Sequence, residues 1–158
     1  MYLSIQATDE IKSVNKGFVY YLKRCVATAG DTLQIIDKKL YVNGKESPLP
    51  NKGQFIEGKP FDAYEKLKTF PPGKGNTMDN YGPIVIPKKG DVININAENF
   101  REWNTFIVRE GHNATTDGIQ VFIDGKSTNK YVVERDYCFG MGDNRDNGED
   151  SRVWGFVP

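Results

Sequence analysis

A lysine inside an otherwise apolar stretch is the first candidate for chemistry in this sequence. Lys23 lies in the run 18–28, which is rich in Val, Tyr and Leu and free of Gly and Pro, so the run predicts one long β-strand. Because side chains alternate between the faces of a strand, the predicted neighbours of Lys23 on its face are Val19, Tyr21, Cys25 and Ala27. An amine among such neighbours loses its proton more readily than in water and can act as a general base. The alternative is an edge-strand lysine that reaches solvent and protects the strand from aggregation.

The polar loop at residues 142–152 is the second candidate. It reads Gly-Asp-Asn-Arg-Asp-Asn-Gly-Glu-Asp-Ser-Arg, so charged side chains of both signs alternate with Asn and Gly. Arginine can hold a carboxylate through two parallel hydrogen bonds, and this composition therefore predicts a dense hydrogen-bonded loop. A calcium-binding loop is one alternative, although Arg145 intrudes and no Glu falls at the position of the last bidentate ligand. A solvated charged turn is the other alternative.

The sequence around both candidates resembles one enzyme family. Residues 23–31, Lys-Arg-Cys-Val-Ala-Thr-Ala-Gly-Asp, are similar to the lysine box of type I signal peptidases. Residues 142–158, which end in Trp-Gly-Phe-Val-Pro, look like the C-terminal box of the same family nearly residue for residue. Between them, residues 79–91 are similar to a weaker segment of the bacterial members that carry a long insertion. The two boxes occur in the order that the family has.

This resemblance implies a serine endopeptidase with a Ser-Lys dyad that removes signal peptides from exported preproteins. In such a dyad a neutral lysine replaces the histidine of a triad, so Lys23 would take the serine proton and return it to the leaving amine. Asp143 matches a position that holds the loop in place, with Arg24 as its expected partner. Asp150 and Arg152 match an acid–base pair that supports the lysine structurally. The other loop positions that the resemblance assigns to support of the site are Gly142, Arg145 and Ser151.

The sequence does not supply the nucleophile that this resemblance implies. The family carries it in a Ser-x-x-Pro box ahead of the lysine strand, whereas neither Ser4 nor Ser13 is followed by Pro at the third position. Ser47 begins a Ser-x-x-Pro match but follows Lys23 in the chain. We therefore expect a soluble piece of a longer membrane protein, inactive as a peptidase by itself, whose anchor and catalytic serine lie outside this sequence.

The resemblance also implies partners and a location. Substrates would be extended preprotein segments with small residues beside the scissile bond, bound by strand addition at a sheet edge. The anchor would contact lipid in the cytoplasmic membrane, with the catalytic domain on the outer face, periplasmic or extracellular. A competing hypothesis is a non-catalytic homologue that binds extended peptides or scaffolds a membrane complex. A self-cleaving repressor-type Ser-Lys protease is a third, which the tail 154–158 and the neutral charge disfavour.

Composition argues against three further features: a nucleic-acid partner, a membrane-spanning apolar run and a metal or organic cofactor. Lys and Arg total 21 and Asp and Glu total 21, so the formal net charge is zero and no nucleic-acid partner is expected. The longest uninterrupted apolar run covers residues 18–22, whereas about 18 to 20 residues are needed to cross a bilayer. No metal or organic cofactor is predicted, because His112 is the only histidine and the two cysteines, Cys25 and Cys138, form no ligand cluster in the sequence.

The elements that must position these residues are predicted to be mainly β. We expect signal-peptidase-like antiparallel sheets that form a small, partly open barrel. Short β-rich runs at 32–37 and 39–42, followed by Asn43-Gly44, predict a meander with a type I′ turn. A similar pattern at 90–95 and 121–126 predicts the two halves of a second hairpin.

One helix is predicted between those halves. Phe100, Trp103 and Ile107 recur at helical spacing, so we expect a helix near 97–110 with Asn96 as its N-cap and Gly111 just past its end. Residues 47–80 hold five of the eight prolines and show no period, which predicts an irregular connection. The resulting domain assignment places 1–45 and 130–158 in the catalytic β core and 46–129 in an insertion that carries the second hairpin and the helix.

Overall fold

A computed structural model of the chain describes residues 2–6, 20–56, 69–146 and 149–158. The strands in chain order are Tyr2–Gln6 (β1), Tyr20–Thr28 (β2), Thr32–Ile36 (β3), Lys39–Val42 (β4), Lys45–Ser47 (β5), Tyr81–Val85 (β6), Val92–Asn94 (β7), Ala114–Thr116 (β8), Val121–Ile123 (β9), Lys126–Thr128 (β10), Lys130–Val132 (β11) and Cys138–Met141 (β12). The helices are Phe100–Arg109 (α1) and Ser151–Trp154 (α2).

The prediction of a mainly β fold is confirmed. The sheets of the described ranges are antiparallel and do not close into a barrel. None of the helices in these ranges has both the length and the apolar character that a membrane span requires.

The lysine strand is the centre of a three-stranded sheet with the order β1-β2-β12. Phe139 pairs with Ala27 and Gly140 pairs with Cys25, so β2 contains one extra residue, Val26, between these partners. Such a bulge interrupts the alternation of side chains between the two faces. The prediction that Ala27 shares the face of Cys25 is therefore wrong, and Ala27 packs in the core with 2% of its surface exposed. Residues 18 and 19 of the predicted strand lie outside the described residues.

A second sheet has the order β5-β4-β3-β6 and buries Leu33, Ile35 and Leu40. Asn43 and Gly44 join β4 to β5 with φ of 52° and 76°. Positive φ at both central residues is the geometry of a type I′ turn, so the predicted turn is confirmed. Strand β6 belongs to the predicted insertion but pairs with β3 of the predicted core. Both segments thus contribute to one sheet, and the domain division stays a prediction.

The second hairpin pattern forms differently from the prediction. Strand β7 pairs with β11, whereas β9 pairs with β8 and β10. The turn at Asp124-Gly125, with φ of 49° and 77°, connects β9 directly to β10, so a local partner takes the place of the distant β7. The prediction that 90–95 and 121–126 form one hairpin is therefore wrong.

The predicted helix is present as α1, which buries Phe100, Phe106 and Ile107. Asn99 directly precedes the helix but makes no side-chain capping hydrogen bond, whereas the predicted Asn96 lies one turn ahead and pairs with Asn99 in the pattern of a capping box. The backbone N–H of each asparagine donates to the side-chain oxygen of the other, at 2.8 and 3.0 Å. Gly111 follows the helix with φ of 102°, as predicted for a residue that ends a helix in the left-handed region.

An aromatic cluster joins α1 to the C-terminal segment. The ring of Phe106 packs against those of Tyr131, Tyr137 and Phe156 at centroid distances of 6.2, 4.7 and 6.1 Å. Phe156 in turn meets Phe70 edge-on at 5.1 Å. Buried aromatic pairs in such geometries stabilise a core beyond the area that they bury. The helix therefore packs on the same core that lies behind the polar loop.

Candidate active site

Lys23 lies at the centre of the candidate site. Its side chain is 8% exposed, and its Nζ lies 5.4 Å from the centroid of the Trp154 ring. A methyl group added at Gly142 would come to 3.5 Å from the same Nζ, so the start of the polar loop closely approaches the amine. Because Lys23 is buried, the alternative of an edge-strand lysine that reaches solvent is wrong. Lys23 and the polar loop, the two candidates that the sequence indicates, thus lie next to each other.

Arg24 and Asp143 connect the lysine strand to the loop. The Arg24 Nε donates to Asp143 Oδ1 and Nη2 donates to Oδ2, both at 2.9 Å, across 119 sequence positions. This bidentate geometry is the strong form of an arginine–carboxylate pair. Both side chains are about a quarter exposed, which leaves the pair at the rim of the site.

Asp150 and Arg152 form a second pair deeper in the loop. Asp150 accepts from Arg152 Nε at 3.0 Å and from Nη2 at 2.8 Å, and neither side chain is more than 2% exposed. The same carboxylate accepts from the backbone N–H of Arg152 at 3.0 Å and of Gly142 at 3.1 Å. Asp150 is therefore the N-cap of α2 and also holds the residue beside the Lys23 amine.

Ser151 and Arg145 complete the buried part of the loop. The Ser151 Oγ accepts from Gly140 N at 2.8 Å, which ties α2 to β12. The carbonyl of Arg145 accepts from Arg152 Nη2 at 2.6 Å. Burial and the nearby Arg152 guanidinium lower the pKa of Arg145. All the loop residues that the sequence singled out therefore lie around one buried carboxylate or at its rim.

The comparison with known proteins agrees with this arrangement. The family model described as signal peptidase, peptidase S26, matches residues 7–158. The chain belongs to this signal peptidase family. The resemblance found in the two boxes is thereby confirmed.

Named relatives in the signal peptidase family match most of the chain. It is 30% identical over 151 residues to signal peptidase I of Aquifex aeolicus, with 87% of this chain and 51% of that protein covered. It is 34% identical over 144 residues to signal peptidase I of Rickettsia prowazekii, with 89% and 41% covered. For signal peptidase I of Haemophilus influenzae the values are 28% over 163 residues, with 99% and 38% covered. The chain thus spans about half of the length of these relatives or less. No solved structure gave a significant match.

A segment that the sequence analysis did not connect to the site braces the polar loop. Gln54 forms a parallel bridge with Asn144, because its N–H donates to Asp143 O and its carbonyl accepts from Arg145 N, both at 2.9 Å. The Ile56 N–H donates to Asp146 Oδ2 at 2.7 Å. Residues 51–56 show no periodic pattern, so the sequence carries no signal for these contacts.

Trp154 and Tyr81 are two further residues whose place in the candidate site was not predicted. Trp154 covers the Lys23 amine from the end of α2. Tyr81 is 1% exposed, and burial and the Asp150 carboxylate raise its pKa. The Tyr81 hydroxyl has no hydrogen-bond partner within the described part of the chain. Both residues lie in segments that the family resemblance covers, but neither has a spacing that predicts these contacts.

The carboxylates of the loop are engaged by positive or N–H groups of the protein. Asp143 faces Arg24, Asp150 faces Arg152, and Asp146 accepts from Ile56 N and lies 3.5 Å from Lys38 Nζ. Among the residues that the structure describes, no group of three or more His, Cys, Asp or Glu side chains is arranged to hold a metal ion. These contacts favour the hydrogen-bonded loop over the calcium loop and the solvated turn.

The candidate serines lie in two different sheets or outside the described residues. Ser4 is in β1, where it pairs with Leu22, and Ser47 ends β5 in the other sheet. Ser13 lies outside the described residues. The described residues therefore bring the lysine and its supporting loop together without a serine of the Ser-x-x-Pro type.

Proposed function

We propose that this chain is the lysine-bearing part of a membrane-bound serine endopeptidase that cleaves signal peptides from exported preproteins. The observation that carries the proposal is the buried Lys23 amine at the meeting point of the two family boxes. Gly142 lies beside it, Trp154 covers it, and Arg24 connects its strand to Asp143. A desolvated amine in a fixed position is the group that a Ser-Lys peptidase needs as its general base.

The proposed chemistry assigns one role to each part of the site. Lys23 takes the proton of the serine hydroxyl as the oxygen attacks the scissile carbonyl, and the resulting ammonium returns the proton to the leaving amine. The pairs Arg24–Asp143 and Asp150–Arg152 fix the loop next to the amine and do not react. The serine itself is proposed to come from outside the 158 residues.

The strand register supports the proposed substrate class. Strand β12 pairs with β2 only from Arg24 to Thr28, so this side of β2 has no partner strand at Lys23. An extended peptide that continued the sheet along residues 20–23 would place its backbone beside the Lys23 amine. The parent enzyme is proposed to reside at the cytoplasmic membrane, with this domain on the outer face.

The first experiment is to sequence the coding region upstream of Met1. We expect, in the same frame, an apolar span of roughly 20 residues followed by Ser-x-x-Pro. The protein from the extended frame should then cleave a preprotein with small residues at the scissile bond, and the 158-residue chain alone should not.

Substitution of Lys23 then tests its role as the base. In the extended protein, Lys23→Ala should lower kcat/KM by about 10³-fold or more, because a general base that acts with the nucleophile is lost. Lys39→Ala is the matched control, since Lys39 is 63% exposed in the other sheet and its loss should leave the rate unchanged.

Two results would contradict the proposal. One is specific cleavage by the 158-residue chain that Lys23→Ala abolishes, because the nucleophile would then lie within the chain. The other is a frame that begins at Met1 together with tight binding of extended peptides and no cleavage, which would favour the non-catalytic homologue.

A further inference from the structure

The two cysteines of the chain, far apart in sequence, lie on adjacent strands. Gly140 of β12 pairs with Cys25 of β2, and Cys138 pairs with Thr28. Residues two apart on a strand share a face, so Cys138 lies on the same face as Gly140 and therefore on the face of Cys25. Gly140 has no side chain to fill the space between the two thiols. The face that carries Lys23 thus also carries both cysteines.

Neither thiol forms a disulfide in this structure. Both are free, and the strand register places them on the same face of two neighbouring strands. Each sulfur also lies near a backbone carbonyl, Cys25 Sγ at 3.5 Å from Ala27 O and Cys138 Sγ at 3.2 Å from Val157 O. Burial, followed by the nearby Cys25 thiol, raises the pKa of Cys138 to about 12. Cys25 is partly exposed and Cys138 is 9% exposed, so a reagent from solvent reaches Cys25 first.

We propose that Cys25 and Cys138 form a reversible disulfide that ties β2 to β12 beside Lys23. The oxidant is a disulfide, either a small-molecule one or that of a thiol oxidoreductase. The Cys25 thiolate attacks one sulfur of the oxidant, and the first thiolate leaves as a mixed disulfide forms. The Cys138 thiolate then attacks Cys25 Sγ and expels the second thiolate. Two electrons pass from the two cysteines to the oxidant, and their two protons end on the released thiols.

The disulfide would link positions 113 residues apart in the sequence. A cross-link over so long a segment restricts the unfolded chain strongly, so the oxidised protein should unfold at a higher temperature than the reduced one. The bond would also hold β2 and β12 together two residues from the amine. It requires no peptidase activity, so its test is independent of the proposed function.

The test is to incubate the folded 158-residue chain with oxidised glutathione and measure its intact mass and its alkylatable thiols after denaturation. We expect a monomer that has lost two hydrogen atoms and both free thiols, a Cys25–Cys138 cross-linked peptide after digestion, and a raised midpoint of thermal unfolding. Dithiothreitol should reverse all of these changes.

Two single variants separate the steps. Cys138→Ser should stop at a stable mixed disulfide with glutathione on Cys25, and Cys25→Ser should stay unmodified with an unchanged unfolding midpoint. A wild-type chain that also stops at the mixed disulfide on Cys25, or that forms disulfide-linked dimers in place of the internal bond, would overturn the proposal. So would a wild-type chain that keeps both thiols free.

Discussion

Asp150 is the residue on which the candidate site depends most directly. Four N–H groups converge on its carboxylate, from the backbone of Gly142 and Arg152 and from the Arg152 guanidinium. A carboxylate offers about four lone-pair positions, so this one is fully used. Since it is completely buried, water cannot replace any partner that is lost.

Asp150→Asn should therefore destabilise the protein strongly. The amide would bring its own N–H groups against Arg152 and leave a buried guanidinium without its counter-charge, at a cost of about 3 to 5 kcal/mol. Urea unfolding measures the loss. Glu46→Gln is the control, because the Lys39–Glu46 pair at 3.8 Å is more than half exposed and should contribute less than about 1 kcal/mol. Equal losses in the two variants would show that the buried pair contributes no more than a surface pair.

For single residues, the sequence predicts partners among the residues of the two boxes but not partners outside them. The structure places Arg24 against Asp143 and Arg152 against Asp150, as the sequence predicts, because charge and box position select these partners. The contact of Gln54 with the polar loop could not be predicted in the same way. It contacts the loop through its backbone, which any residue type provides.

Gly155 ends helix α2 and turns the chain toward the core. Its φ of 81° lies in the left-handed region, and a Cβ there would come within 3.0 Å of the Phe70 ring. The turn thus needs both the conformational freedom of glycine and its small size.

Gly155→Ala should lower the free energy of unfolding by about 2 to 4 kcal/mol, from backbone strain and overpacking together. Gly90→Ala is the matched control, because Gly90 has a similar φ of 91° with open space around it, and strain alone costs about 1 to 2 kcal/mol. Thermal or urea unfolding of both variants gives the comparison. A Gly155→Ala loss no larger than that of Gly90→Ala would mean that Phe70 moves aside freely.

The sequence predicts elements where a local signal exists. Asn43-Gly44 predicts its turn because few other residues tolerate positive φ, whereas Asp37-Lys38 makes the preceding turn with φ of 47° and 70° and carries a weaker signal. The bulge at Val26 and the pairing of β7 with β11 depend on partners far along the chain. Periodicity within one segment cannot reveal them.

His112 connects three distant segments of the molecule. Its Nδ1 lies 2.7 Å from Asp124 Oδ2 in the β9–β10 turn, and its Nε2 lies 2.9 Å from Glu134 Oε1 beyond β11. These two hydrogen bonds raise the pKa of His112. A hydrogen bond from Asn113 N and then one from His112 lower the pKa of Asp124.

The stability of the protein should therefore depend on pH through His112. The contribution of the imidazolium is fully present below the unfolded pKa of about 6.5 and is lost as pH rises through the higher folded value. The contribution of Asp124 is present above about pH 3.9 and is lost as pH falls through its lower folded value. The stabilising contributions of His112 and Asp124 are therefore both present between about pH 4 and 6.5.

Chemical unfolding at about pH 6 and pH 9 tests this dependence. The wild type should lose more stability over this range than His112→Gln, which keeps a polar side chain but does not titrate. His112 is the only histidine in the chain, so no other imidazole contributes. Parallel pH profiles for the two proteins would exclude this contribution.

For the whole molecule, composition and turn signals predict a mainly β protein. The two family boxes predict that residues 23–31 and 142–158, which are far apart in the sequence, lie together. The order of strands in each sheet does not follow from either. The order depends on which strands from distant parts of the sequence pair with each other, such as β6 with β3. Tertiary packing decides this pairing.

The pairing of Arg24 with Asp143 closes a segment of 119 positions. The conformational entropy lost when the ends of a flexible segment meet grows only with the logarithm of its length, by about 0.6 kcal/mol for each doubling. Residues can therefore be added to or removed from the intervening surface loops at little entropic cost to the site, provided that β3 and β6 still pair. In evolutionary terms, the length of this segment can change while the arrangement around Lys23 stays the same.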